Sequence, residues 1–324
     1  MDISDSRILL TGGAGFLGQH VKNKLLERGV LESNITIPRS GVSDLRRLEV
    51  CQNIMPNRDV VIHCAVNGQG IGYNHKHPAE IFDDNAVMGI NLMKTARQFG
   101  VKKFVMIGSI SEYPKNASMP LTEENLWEGY PEEVNAPYAM AKKMLIVQSE
   151  AYRKQYGFNS IHLMLAQLYG PGNSFDPSKS HVVGALIVKI IDALISNRHN
   201  IDVWGDGLQS RQFLYVEDAA EAVVLATKNY DKSEPVNIGA SKETTIKELV
   251  DAISRILGFK GTVNWDTSKP VGQLRQCADT SRAKQFGFCA KTNLEAGLRN
   301  TINYYCKINP NIAWTIKNAI RSAE

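Results

Sequence analysis

Arg7-Ile-Leu-Leu-Thr11-Gly12-Gly-Ala-Gly15-Phe16-Leu17-Gly18, near the start of this 324-residue chain, decides its fold. Arg7 to Thr11 reads as a short buried strand and the glycines as a tight turn. From Phe16 onward the spacing of Val21, Leu25 and Leu26 predicts an amphipathic helix ending near Gly29. Strand, glycine turn and helix in that order are what a dinucleotide-binding loop requires. Glycines let the backbone approach a pyrophosphate closely, and the unpaired N–H groups of the helix start attract its charge. Gly12, Gly15, Phe16, Leu17 and Gly18 are therefore candidate cofactor contacts; the competing reading is a plain glycine turn. The loop lies so early that no targeting peptide is expected ahead of it.

The next apolar stretch, Asn34-Ile-Thr-Ile37, runs into Pro38-Arg39-Ser40. An NAD site usually carries an acidic residue here, about twenty residues past the glycines, for the ribose hydroxyls. Arg39 and Ser40 stand there instead, with Arg46 and Arg47 farther on. A guanidinium suits the 2′-phosphate of NADP. NADP(H) is the expected cofactor, with NAD(H) the alternative if Arg39 is an ordinary surface residue.

Further apolar strands, Asp59 to His63, Lys103 to Ile107 and Ser160 to Leu165, alternate with helical patterns. That alternation implies right-handed βαβ units and an α/β fold with a doubly wound parallel sheet, of the Rossmann kind. Past Gly170-Pro171-Gly172 the pattern loosens, and a smaller mixed α/β lobe is expected. The expected division is 1–168 for the cofactor domain and 169–324 for the lobe, with roughly 213–240 returning to the first domain. The formal charge of +4 is spread without a basic run, so nothing suggests nucleic acid. Five cysteines (Cys51, Cys64, Cys277, Cys289, Cys306) lack paired ligand spacing. Neither a disulfide framework nor a zinc site is expected, and a reducing cytoplasm fits. Val182 to Ile195, interrupted by Lys189 and Asp192, is too short and too charged to span a bilayer. His75 and His77 have no carboxylate or cysteine cluster beside them, so no metal is expected.

Chemistry enters with Tyr138-Ala-Met-Ala-Lys142 and with Ser109 at the end of Lys103-Phe-Val-Met-Ile-Gly-Ser109. A tyrosine and a lysine four apart share a helix face. An ammonium there stabilises a phenolate whose ordinary pKa is about 10, preparing it for proton transfer. A strand-end serine can aim its hydroxyl at the same substrate oxygen. Alone, the Tyr-x-x-x-Lys spacing is common; after a dinucleotide loop it points to hydride chemistry at a C–O carbon.

These stretches resemble the extended short-chain dehydrogenase/reductases along nearly the whole chain, and within that superfamily the GDP-L-fucose synthases. The resemblance rests on Gly108-Ser109 through Tyr113-Pro114, Ala136 to Lys142, Leu168-Tyr-Gly-Pro-Gly-Asn173, Ser180-His-Val182, Val203-Trp-Gly-Asp-Gly207, Arg211-Gln-Phe213 and Ser268-Lys-Pro270. It implies epimerisation at C3 and C5 of GDP-4-keto-6-deoxymannose, then reduction of the C4 ketone with NADPH. Tyr138 would give the proton to the C4 oxygen, Ser109 would hydrogen-bond that oxygen, and Lys142 would hold the nicotinamide ribose and lower the Tyr138 pKa. By the same resemblance Leu168 meets the cofactor. Asn173, His181, Val182, Trp204, Arg211 and Lys269 meet the sugar nucleotide, with Arg211 and Lys269 at its diphosphate. A core tryptophan is the alternative for Trp204. A homodimer is expected through the helix beginning near Tyr138 and the one from Asn85 to Gly100; Asn85 stands near the active site or caps a helix.

Epimerisation in the family uses a Cys/His pair. His181 matches the histidine, but Ser111 stands where the cysteine belongs. A thiol with a pKa of about 8.5 exchanges protons near neutrality, whereas an unactivated hydroxyl does not. The expectation is a C4-keto reductase with little or no epimerase activity. Gln167 replaces an asparagine and Val271 an acidic residue of the family pattern, both near the expected sugar nucleotide, so a sugar other than the family's is an open expectation, either a heptose or another 6-deoxyhexose. The alternatives are a bifunctional epimerase/reductase, a C4 oxidase with tightly held NAD, and a non-catalytic cofactor sensor.

Overall fold

The computed structural model describes residues 2–68, 71–176, 179–269 and 272–313, so Val271 lies outside the described residues. The first half runs β1 (Ile8–Thr11), α1 (Phe16–Glu27), β2 (Ile35–Thr36), α2 (Leu48–Ile54), β3 (Val60–His63), α3 (Ile71–Lys76), α4 (Pro78–Gln98), β4 (Lys103–Ser109), α5 (Ala136–Tyr156) and β5 (Ser160–Leu165). The second half runs β6 (Gln167–Tyr169), α6 (Val182–Ile195), β7 (Asn200–Trp204), β8 (Ser210–Tyr215), α7 (Val216–Asn229), β9 (Val236–Ile238), β10 (Glu243–Thr245), α8 (Ile246–Leu257), β11 (Thr262–Asp266), β12 (Arg275–Gln276), α9 (Ser281–Lys284) and α10 (Leu294–Ile308).

Six parallel strands in the order β2-β1-β3-β4-β5-β9 form the main sheet. Its strands are apolar on both faces because helices cover both. Ile8 and Leu10 of β1, Val60 and Ile62 of β3 and Val105 of β4 join one core with Val21 and Leu25 of α1 and Ala219 and Val223 of α7. The alternate residues Leu9, Val61, Phe104 and Met106 face the other way, onto Leu92 and Met93 of α4 and Leu145 of α5. This period of two divides each strand between two helical layers. Chain order reverses at β1, which has β2 on one side and β3 on the other. Ligands of doubly wound sheets bind at such a reversal, beyond the carboxyl ends of the strands.

The remainder builds a second core from Ile187 and Ile190 of α6, Val203 of β7, Leu249 and Ile253 of α8, and Leu298 of α10. Its strands form a mixed sheet in which β8 pairs with β6, β10 and β12, and a parallel pair of β7 with β11. The very apolar Val182–Ile195 is α6, buried in this core, and no helix among the described residues is long and apolar enough to cross a membrane. Later in the chain β9 joins the main sheet, and α7 and α9 pack on its core through Ala219, Val223 and Ala283; β8, immediately before α7, pairs in the second sheet while its Leu214 reaches the first core. The sequence reading started the fourth helix at Asn85, but it begins at Pro78. Proline is tolerated in a first turn, where its missing N–H has no helical partner.

Candidate functional site

The glycine loop packs backbone against backbone. A Cβ on Gly18 would fall 2.1 Å from the Gly12 carbonyl oxygen, and one on Gly12 (φ 68°) 2.6 Å from the Ala65 nitrogen. Gly15 is the N-cap of α1, and no side-chain cap and no first-turn acid occupy that helix start. Unclaimed N–H groups beside a side-chain-free cradle fit a pyrophosphate. Leu17 and Leu168 are half-buried at the edge of the main core. The turn after Leu168 closes on α1: His20 Nε2 donates to the Pro171 carbonyl at 2.8 Å, and the open side of Gly172 faces the Phe16 ring. Beyond β2, Arg39 and Ser40 are exposed. Arg46 is tied to Asp44 and Asp84, and Arg47 to Glu49. Among the described residues Arg39 has no ion-pair or side-chain hydrogen-bond partner, which leaves its guanidinium available.

Ser109 ends β4, and the chain turns sharply after it. Its Oγ accepts from the Ser111 backbone N–H at 3.2 Å and from the Ser111 hydroxyl at 2.9 Å. With its lone pairs occupied, the Ser109 hydroxyl is left to donate outward. Lys142, one helical turn past Tyr138 on α5, is buried, with its Nζ 5.9 Å from the centre of the Tyr138 ring. Its one hydrogen-bond partner among the described residues is the Met106 sulfur at 4.0 Å, a weak acceptor. Burial lowers the ammonium to about 8, against the opposing pull of Glu112 and Cys64. An ammonium so poorly satisfied fits the hydroxyls of a cofactor ribose.

The Tyr138 phenol differs from expectation. Burial and then the negative charge of Glu112 push it above its ordinary value, whereas the sequence reading has Lys142 pulling it down. With Lys142 nearly six ångström from the ring, desolvation wins. A phenol that keeps its proton is an acid, the role that ketone reduction needs. The neighbouring loop is fixed by Asn85, whose amide donates to the Asn67 carbonyl at 2.6 Å and accepts the Asn67 N–H at 3.1 Å. Asn85 is a buried mid-helix residue of α4, so it is a loop anchor and not a cap. His63, at the end of β3, meets Thr11 Oγ1 at 2.7 Å, while its buried Nε2 has no partner among the described residues. Burial, then Lys142, hold its pKa well below the ordinary imidazole range. Burial pushes the adjacent Cys64 thiol up to about 12, which removes it as a nucleophile.

His181 is the N-cap of α6 and Val182 its first residue. The His181 ring reaches solvent yet is lined by protein, and that desolvation lowers its pKa. Asn173 is buried, and its amide nitrogen has no hydrogen-bond partner among the described residues. Arg211, on β8, is half-buried and donates to the Ser210 and Gln273 carbonyls at 2.7 Å each. Burial lowers its pKa, with Glu132 and Glu243 opposing. Trp204 is 58% exposed, which removes the core alternative. Trp204 pairs with Asp266 across β7 and β11, and Lys269, three residues past the end of β11, is exposed.

Two residues absent from the sequence reading of the site sit behind Ser109. Glu112 and His162 are both buried, and Glu112 Oε2 lies 3.0 Å from His162 Nε2. The sequence signals were an acid inside the Ile110–Tyr113 turn and a histidine inside the apolar strand Ser160 to Leu165.

Comparisons with known proteins bear on the family and the fold. A family model described as "NAD dependent epimerase/dehydratase family" matches residues 8–239. A GDP-L-fucose synthase of Sinorhizobium fredii is 37% identical over 298 residues, covering 91% of this chain and 94% of the relative. Among solved structures, a GDP-6-OMe-4-keto-L-xylo-heptose reductase from C. jejuni matches with a TM-score of 0.88 at 26% identity, covering 94% of this chain and 99% of the other. A GDP-mannoheptose C4 reductase from Campylobacter jejuni with NADP bound matches with a TM-score of 0.84 at 26% identity, covering 93% and 98%.

Proposed function

The chain belongs to the NAD dependent epimerase/dehydratase family, and we propose that it is an NADP(H)-dependent reductase of the C4 ketone of a GDP-linked 4-keto-6-deoxy sugar, with little or no epimerase activity at C3 and C5. The observation that carries the second half is the Ser111 hydroxyl. It donates to Ser109 Oγ at 2.9 Å, so the residue in the family's cysteine position is tied into the reductive site and holds no group that titrates near neutrality. Relatives named for GDP-sugar synthesis and two neighbours named as heptose reductases support the sugar-nucleotide class. The unpaired Arg39 and the neighbour with NADP bound support NADP over NAD.

The glycine loop and the start of α1 would hold the pyrophosphate, Arg39 and Ser40 the adenosine end, and Lys142 the nicotinamide ribose. When bound, NADPH supplies hydride to C4. The remaining work belongs to the protein. The Tyr138 hydroxyl, unclaimed by any described residue and held protonated by burial, gives its proton to the C4 oxygen. Ser109, fed by two donors from Ser111, donates a hydrogen bond to that oxygen. A positioned acid of this kind is typically worth about 10²–10⁴-fold in rate. Asn173, His181, Val182 and Arg211 would hold the sugar nucleotide, with Trp204 and Lys269 contributing from the strand pair. The protein would act as a homodimer through α4 and α5.

The test is turnover of the purified protein with NADPH and GDP-4-keto-6-deoxy sugars in D₂O. The expected product has its C4 ketone reduced and carries no deuterium at C3 or C5. Solvent deuterium at either carbon would sink the reductase-only reading.

A further inference from the structure

Behind the catalytic turn lies an acid–base pair that the reaction above does not use. Glu112 is fully buried, and its carboxylate makes its hydrogen-bonding contacts among the described residues to nitrogen alone, the His162 ring nitrogen lying within reach of both oxygens. Oε1 accepts the Ser109 backbone N–H at 2.8 Å, and Oε2 lies 3.0 Å from His162 Nε2 on β5. A carboxylate only accepts, so the neighbouring imidazole nitrogen is the donor. The room for this arrangement comes from Gly108. A Cβ there would fall 2.2 Å from His162 Nε2 and 2.3 Å from Glu112 Oε1. Three positions from two strands and a turn are thus fitted to one another directly under Ser109. Desolvating a buried carboxylate is unfavourable, and an apolar side chain would close the same space without that penalty.

What the pair faces gives it a use. Glu112 acts electrostatically on Tyr138, Lys142 and Lys143 of α5 and on Tyr113 of its own turn. Among the described residues, the other titratable groups acting on Lys142 are His63, at the end of β3, and Cys64, just past it. Burial drives both toward their neutral forms, so Glu112 is the carboxylate opposite the Lys142 ammonium. We propose, building on the reductase reading, that Glu112 clamped by His162 is the positioning residue of this site: its carboxylate holds the Ser109–Ser111 turn and supplies the fixed negative charge against which the Lys142 ammonium is set.

Position and charge separate in two variants. Glu112→Gln keeps an acceptor for the Ser109 N–H and removes the charge. The Lys142 ammonium, now at about 8, is expected to fall by roughly one unit. Turnover and NADPH binding, followed by nicotinamide fluorescence, then drop about fivefold at pH 8 and hardly at pH 6. Glu112→Asp keeps the charge and shortens the reach. It leaves the alkaline limb in place while lowering the pH-independent kcat about tenfold, with the NADPH dissociation constant at pH 6 unchanged. A purely structural Glu112 predicts loss of the same size at every pH in Glu112→Gln. That result, or an alkaline limb that stays put, overturns the proposal. If thermal melting shows Glu112→Gln unfolded, Glu112→Asp decides alone: a shifted limb or an unchanged plateau overturns the proposal. The NADPH-binding arm uses no sugar. A wrong substrate assignment would silence wild-type turnover and leave the binding arm to decide.

Discussion

At the scale of single residues, this site is governed by burial more than by neighbouring charge. Lys142 is held near 8 because its ammonium has left water for a pocket with one sulfur acceptor. A lysine lowered in the folded state disfavours folding while it is charged. The penalty is full below about pH 8 and fades between about 8 and 10.5, where the unfolded chain binds more protons, so stability rises with pH across that window. At one pKa unit per 1.36 kcal/mol, the cost at pH 7 is about 3 kcal/mol. Lys142→Met should therefore stabilise the free protein by about that amount at pH 7 and by under about 1 kcal/mol at pH 10, while weakening NADPH binding. Urea melts at the two pH values measure this, and equal stabilities at pH 7 would refute it. Of the residues singled out from sequence, Ser109, Ser111, Tyr138 and Lys142 were legible because fixed spacing on a strand end and a helix face carries them. Glu112 and His162 were not. Nothing local couples a turn acid to a histidine fifty residues on; only β4 lying beside β5 does.

At the scale of elements, the cofactor cradle is a matter of missing side chains. A Cβ on Gly18 would press on the Gly12 carbonyl, which is backbone and cannot rotate away. Gly18→Ala should cost roughly 1–3 kcal/mol of stability by overpacking. It should also weaken NADPH binding at least tenfold by displacing the start of α1 from the turn. Calorimetric titration with NADPH checks this, and wild-type affinity would contradict the cradle. Strands β1, β3 and β5 were readable because buried parallel strands are continuous apolar runs. The strand after Asn34 shrank to Ile35–Thr36, since it lies at the sheet edge and pairs only with β1. The fourth helix started seven residues before the expected Asn85, because Pro78 can begin a helix, where its missing N–H has no partner to lose.

At the scale of the whole molecule, α4 and α5 pack on the main sheet and still leave large apolar side chains in water. Ile90 is 36% exposed and Phe82 38% on α4, while Val147 is 51% exposed on α5. Apolar exposure on adjoining helices is what an association surface carries. The double variant Ile90→Glu, Val147→Glu should sediment as a monomer where the wild type sediments as a dimer. A monomeric wild type would refute the homodimer.

The sequence by itself determined the doubly wound sheet and the glycine loop and singled out the proposed reductive residues, because each is written in short-range spacing: apolar runs, glycines at a turn, a tyrosine and lysine one helical turn apart. It also placed Ser111 two residues past Ser109, where the epimerisation thiol would stand. Tertiary structure alone decided what those groups are chemically. It enclosed Lys142 fully and Tyr138 in large part, so that the phenol keeps its proton and the ammonium sits near 8. It turned Ser111 onto Ser109, and it set Glu112 and His162 beneath both. Desolvation and charge act through space, and which atoms share that space is fixed only when the strands are side by side.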